Sequence, residues 1–239
     1  MTEIAALLAL AFAAGADGTA FGQFMIARPL VSGVLAGVAV GDLALGAAVG
    51  ALLEVYHLPA IPVGGGRYPE PGPAAVVGVF AGGLAGAVPP PETPGALDPF
   101  HPFLLAEAPG VVPLGVLFAL TFSLLGGWAQ EKARALTVLW LPQPGGTGLS
   151  RSLSVVHWSG VFLSGLRGAG IAALGMIVAA GVVPYLDPWP LSPRATWGLL
   201  LLTGCIPLGS LLAVLGGVRR LGWWTAGGLL TGLLLGIAL

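Results

Sequence analysis

The sequence predicts an all-α integral membrane protein, a polytopic bundle of apolar helices, and three observations carry that reading. The chain is 56% hydrophobic and only 8% charged, with mean hydropathy +0.95, whereas soluble domains average about 25% charged residues. Apolar runs of about 18 residues or more recur along its whole length, enough for a helix to cross roughly 30 Å of hydrocarbon. Its 40 glycines exceed what loops require. Most lie inside the apolar runs, where a missing side chain lets helices approach closely. The same balance excludes other classes. Net charge −1 with no basic run argues against nucleic acid as a partner. A single cysteine, Cys205, excludes an intramolecular disulfide and a cysteine metal cluster.

Seven apolar segments are expected, at about 4–20, 29–53, 73–90, 109–129, 158–184, 196–218 and 221–239, within one membrane domain over 1–239. The first, "MTEIAALLALAFAAGADG", lacks the basic leader and small-residue cleavage pattern of a signal peptide, so it reads as a retained helix. The second carries Gly33, Gly37 and Gly41 at four-residue spacing, then Gly46 and Gly50. The third repeats the pattern with Gly78, Gly82 and Gly86, and the last with Gly228, Gly232 and Gly236. These are small-residue ridges for tight packing. The connection over 89–110 is Pro-rich and acidic, with Glu92, Asp98 and Glu107. The connection after Trp128 carries Lys132, Arg134 and Arg151 against Glu131. Only Arg219 and Arg220 part the last two segments, which predicts a tight hairpin. Cytoplasmic loops are enriched in Lys and Arg. That places 130–155 and Arg219–Arg220 inside, and 89–108 and 185–195 outside. Alternation then puts Arg67 and the N-terminus inside. Trp140, Trp158, Trp189, Trp223 and Trp224 fall near segment ends, as interfacial anchors do.

Charges within apolar sequence are the candidate functional residues. Asp42 sits near the middle of 29–53, where a lone carboxylate costs about 2.5–3.5 kcal/mol. Either the "GD" marks a break in the helix with Asp42 as its cap, or Asp42 serves a substrate or proton. On one straight helix Arg28 would lie about 21 Å from Asp42 along the axis, and Glu54 would point to another face, about 120° away. The stretch Leu53–Pro73, "LEVYHLPAIPVGGGRYPEPGP", places Glu54, His57, Arg67 and Glu70 among prolines and glycines. Irregular backbone at membrane depth is tolerated where it is buried in protein or lines a wet cavity. A Gly/Pro-broken segment between apolar runs points to a transporter binding site, here a broken or re-entrant helix near 54–72. Ionised Glu54 and Glu70 supply acceptors suited to sugar hydroxyls, and Arg67 supplies donors. Asp42, Glu54 and Glu70 are expected to line one cavity.

"GQFMIARPLVSGVLAGVAVGDLALGAAVGALLE", followed by "IPVGGGRYPEP", resembles the IIC membrane subunit of the mannose/fructose/sorbose family of the bacterial phosphoenolpyruvate-dependent sugar phosphotransferase system. The matches are Gln23, Phe24, Arg28, Pro29, Gly41, Asp42, Leu53, Glu54, Pro62, Gly64, Gly65, Pro69 and Pro71, with Glu70 where the family has Asp. "VVHWSGVFLSGLR" is similar to a later family stretch, placing His157, Phe162, Leu163 and Arg167. The resemblance implies a sugar-translocating permease subunit with internal pseudo-symmetry, set in the bacterial inner membrane and working as an oligomer. It implies a second membrane subunit, IID, and IIA and IIB phosphocarriers that bring the phosphoryl chemistry, so the chain is no enzyme on its own. No cofactor or metal is implied. The candidate substrate-binding residues are then Gln23, Arg28, Asp42, Glu54, Gly64, Gly65, Arg67, Glu70 and His157. Met25, Ala27 and Ser164 depart from the family pattern, each where an amide or ring is usual, and the chain has no asparagine. The alternative reading is a secondary transporter or channel coupled through Asp42 and Glu54 without phosphorylation.

Overall fold

The run read as one helix over 29–53 is two helices folded back on each other. Gly41 takes φ 79°, a left-handed conformation that suits glycine, and its N–H with that of Asp42 closes the last turn of the first helix. Asp42 then caps the second, its Oδ1 accepting from the Leu45 N–H at 2.8 Å. The computed structural model describes residues 2–18, 20–58, 68–86, 111–138 and 149–186, together with 205 and 209. Within them lie helices α1 (Thr2–Asp17), α2 (Pro29–Val40), α3 (Leu43–His57), α4 (Pro71–Gly86), α5 (Val111–Val138) and α6 (Leu149–Val182), followed by a short 3-10 turn at Val183–Tyr185. No strand occurs among the described residues. The segments expected at 196–218 and 221–239, the loop 89–108, and Gly64, Gly65 and Arg67 lie outside them.

The α2–α3 hairpin is held by its glycines. A methyl group on Gly33 would lie 2.8 Å from the Gly50 Cα, and one on Gly37 would lie 2.9 Å from the Gly46 Cα. The two backbones therefore touch, with residue numbers rising on one helix as they fall on the other. The ridge spacing read in the sequence is real, but its partner is the same segment after the turn. At about 1.5 Å per residue α2 extends only about 18 Å, less than the hydrocarbon thickness. Two described helices are long and apolar enough to cross a membrane, Val111–Leu136 and Leu153–Tyr185.

Helix α4 occupies the centre. Its residues from Gly72 to Val79 are buried on every side, as befits a helix apolar all round. Val76, Val77 and Val79 pack with Leu45, Val49 and Leu53 of α3 and with Val112 and Val116 of α5. Close contacts fix the helix directions. Gly78 meets Gly115, and Gly126 meets Glu70, so α4 and α5 are antiparallel. Pro73 meets Gly168, and Val77 meets Gly175, so α4 and α6 run together. Gly15 meets Ser164 and Gly168, while Phe21 meets Trp158, so α1 runs against α6. The chain thus leaves the end of α1, goes out and back through the hairpin, and starts α4 at that same end, where Gly72 packs on Ala14 and Ala27. The straight helix over 29–53 on which the alternation rested is corrected accordingly: the segment is a hairpin, and α4 starts at the end of the bundle where α1 finishes. The connection expected over 130–155 is also helical at both ends, because "AQEKARALTV" is built from strong helix formers that carry α5 past its apolar stretch to Val138.

Candidate functional site: a polar pocket at the start of the central helix

Residues 68–70, outside regular secondary structure, lead into α4 along a groove in α5. The groove exists because Gly126 and Gly127 lack side chains: a methyl on Gly126 would lie 2.8 Å from the Glu70 Cβ, and one on Gly127 would lie 2.5 Å from the Tyr68 carbonyl oxygen. The Glu70 N–H donates to the Ser123 carbonyl at 3.0 Å, which pins the entry of α4 to α5. Glu70 is thereby aimed at α6. Arg167 Nε donates to its Oε2 at 3.0 Å and Nη2 to its Oε1 at 2.7 Å, a two-bond fork. The side chains are 9% exposed for Arg167 and 8% for Glu70. A buried ion pair has a heavy desolvation cost and persists only with good geometry, as here.

Beside the pair, the Tyr68 hydroxyl accepts from Gln130 Nε2 at 2.8 Å and Arg134 Nη2 at 3.0 Å, and the Arg134 guanidinium sits 5.1 Å from the ring centre. Gln130 is itself buried. A pocket of about 30 Å³ lies among Glu70, Arg167, Tyr68 and Gln130, with Ala14, Gly15, Gly18, Ala27 and Pro69–Pro73 completing its wall. That volume holds about two water molecules. Below it, buried His57 joins α3 to α5. The Leu53 carbonyl, 2.9 Å from Nδ1, can only accept, so Nδ1 carries the hydrogen and Nε2 accepts from the Ser123 hydroxyl at 2.9 Å.

The expected common cavity for Asp42, Glu54 and Glu70 does not form. Glu70 lines the pocket, but Asp42 is at the exposed tip of the hairpin, engaged in capping α3. Glu54 is at the foot, 3.2 Å from Arg28 Nε and accepting from the Leu30 N–H at 3.3 Å. Folding the segment back is what joins Arg28 to Glu54, which a straight helix would hold apart. Gln23 lies exposed on the turn after α1. His157 is exposed on α6, edge-on to Trp158 at 5.6 Å, about 15 Å along the helix from Arg167. Sequence reasoning did not single out Tyr68, Gln130 or Asp17 for the site. Asp17 offers a signal in retrospect, a carboxylate closing an apolar run in "AGADG". For Tyr68 and Gln130 nothing in the local pattern distinguishes them.

The chain matches the family described as "PTS system sorbose-specific iic component" over residues 1–208. It belongs to that family. It is accordingly a sugar-translocating IIC subunit of a phosphotransferase system, an integral membrane component and not a catalyst by itself. No curated protein matches the chain. Solved structures share its fold, two of them as follows. One, described only as a membrane protein, is 17% identical with TM-score 0.64, covering 99% of this chain and 91% of that one. The other belongs to the cryo-electron microscopy structure of the mannose transporter ManYZ with microcin E492 (MceA). It is 18% identical with TM-score 0.55, covering 96% of this chain and 86% of that one. At such identities the likeness is one of fold.

Proposed function

We propose that the sugar passes through the pocket at Glu70 and Arg167, and that a separate IIB protein phosphorylates it as it emerges at that end of the bundle. The observation that carries the reading is the buried two-bond Glu70–Arg167 pair, set with Tyr68 and Gln130 around one pocket in a largely apolar interior. A carboxylate, a guanidinium, an amide and a phenol together offer the acceptors and donors that a ring of hydroxyls needs. A space for about two waters is far smaller than a hexose, so the pair must open, or the 68–73 segment must part from α1 and α6, for substrate to enter. Glycine-lined contacts, such as Gly15 against Gly168, offer smooth surfaces for that parting.

In this reading the α2–α3 hairpin is re-entrant, and the basic ends of α5 and α6 face the cytoplasm of a bacterium. Even parity over 18–70 then sets the N-terminal end of α1 outside. Internal pseudo-symmetry, which the family resemblance implies, belongs to the same reading. IID, IIA and IIB complete an oligomeric assembly in the inner membrane. The test is uptake of labelled L-sorbose and D-mannose by vesicles containing the chain with IID, IIB and IIA. Uptake that needs phosphoenolpyruvate and falls in Glu70→Gln supports the proposal. Uptake independent of phosphoenolpyruvate favours an uncoupled transporter. A folded Glu70→Gln variant with wild-type uptake removes the pocket from the sugar path.

A further inference from the structure

Helix α1 ends on Asp17, a residue only 4% exposed. A carboxylate there faces the negative end of the helix dipole and, being buried, needs partners. It finds them on the following turn. Asp17 Oδ1 accepts from the Phe24 N–H, and Oδ2 accepts from the Ala27 N–H at 3.0 Å. On either side of Phe24 the backbone is strained: Gln23 takes φ 53° and Met25 φ 68°, left-handed values that residues with a Cβ adopt only when their surroundings hold them there. The turn is fixed at its far end as well, since the Arg28 N–H donates to the Met25 carbonyl at 3.0 Å and the Ser32 hydroxyl to the Ile26 carbonyl. Ala27, the residue held by Oδ2, lines the pocket, and its backbone packs against Gly72 at the start of α4. Nothing in the pocket chemistry uses Asp17 directly.

We propose that Asp17 is a positioning residue for sugar binding: by gripping both amides of the 24–27 turn it sets the pocket wall made by Gly18 and Ala27. The proposal rests on reading the pocket as the sugar site. A purely structural tie predicts something different, because α1 is already anchored on α6 through Gly15 and Gly168. Loss of Asp17 would then leave the pocket's affinity unchanged.

The experiment uses the full chain assembled with its partner subunits and two readouts. Amide hydrogen exchange reports the turn without reference to sugar, and the KM and kcat of L-sorbose and D-mannose uptake report the site. Asp17→Asn replaces one acceptor oxygen by a donor. It is expected to speed exchange of the 20–28 peptide about tenfold, while the α4 peptide stays unchanged, the scale set by losing a hydrogen bond to a charged group. KM is expected to rise about tenfold with kcat within about twofold, the pattern of lost binding rather than lost chemistry. Asp17→Glu keeps the charge but misplaces the oxygens. It gives the same pattern at smaller amplitude, and serves where the amide variant does not assemble. Unchanged exchange over 20–28 in both variants overturns the grip. Faster exchange with unchanged KM overturns the positioning role and leaves a structural tie. Wild-type assemblies that take up neither sugar sink the pocket reading, while the exchange arm still decides whether Asp17 holds the turn.

Discussion

The chain places an Arg–Glu pair at the foot of the α2–α3 hairpin and another at the start of α4, and the two differ in nearly everything but composition. At the hairpin foot the Arg28 side chain is 52% exposed and Glu54 19%, joined by one contact at 3.2 Å. At the pocket both partners are below 10% exposed and share two well-formed hydrogen bonds. An exposed pair gains little because solvent screens it and ordering long side chains costs entropy. A buried pair is different. Its formation is near break-even, but removing one partner strands a charge where no water reaches it. The hairpin is therefore held by backbone contact between glycines, and the pocket by its polar chemistry.

The comparison is broken most decisively at the pocket. Arg167→Ala is expected to cost about 3–5 kcal/mol, read as loss of the folded assembly or a lowered melting temperature in detergent. Replacing both partners, as Glu70→Leu with Arg167→Met, should bring stability back near the parent while sugar uptake stays absent. A single variant that melts with the parent would mean that the pair is not buried in the working protein. Next in size is the hairpin seam. The Cβ of Gly46→Ala would fall 2.7 Å from the Gly37 Cα, so backbone must move, at about 1–3 kcal/mol. Gly83→Ala, where a methyl meets nothing within 4 Å, is the control and should stabilise by roughly 0.5–1 kcal/mol.

Smaller effects separate the charges. Asp42→Ala removes the α3 cap and should cost about 1 kcal/mol in thermal melting, with the uptake KM unchanged. A large rise in KM would restore Asp42 to the sugar path. Smallest of all is Glu54→Gln. The sequence alone suggested a ligand, for which a loss of roughly 1.5–3 kcal/mol in affinity follows. With Glu54 already engaged by Arg28 and the Leu30 N–H, the expected change is about 0.2–1 kcal/mol in stability and none in binding. A tenfold loss of affinity in a folded variant would put the hairpin foot inside the site after all.

Local signals in this chain were readable where the cause was local. The four-residue glycine spacing and the "GD" interruption at Gly41–Asp42 are visible in the string, because close packing needs glycine at helical intervals and a break needs a cap. What the break does was not visible. A kinked helix and a closed hairpin present the same residues in the same order, and only the meeting of Gly33 with Gly50 distinguishes them. A straight helix over 29–53 would hold Arg28 and Glu54 at opposite ends, and folding it back joins them.

The amino-acid sequence on its own determined the membrane class and the helical content of its described parts, and it offered the place where the second segment breaks as one of two readings of Asp42. Each follows from composition or from contacts within a few residues. The tertiary structure alone decided which charge meets which: Glu70 with Arg167 across 97 positions, Tyr68 with Gln130 across 62, Asp17 with the turn at 24–27. A buried charge must find a partner, and the sequence states that requirement. Which partner it finds depends on the parallel course of α4 and α6 and on the room left by Gly126 and Gly127 in α5, and these exist only once the helices have packed.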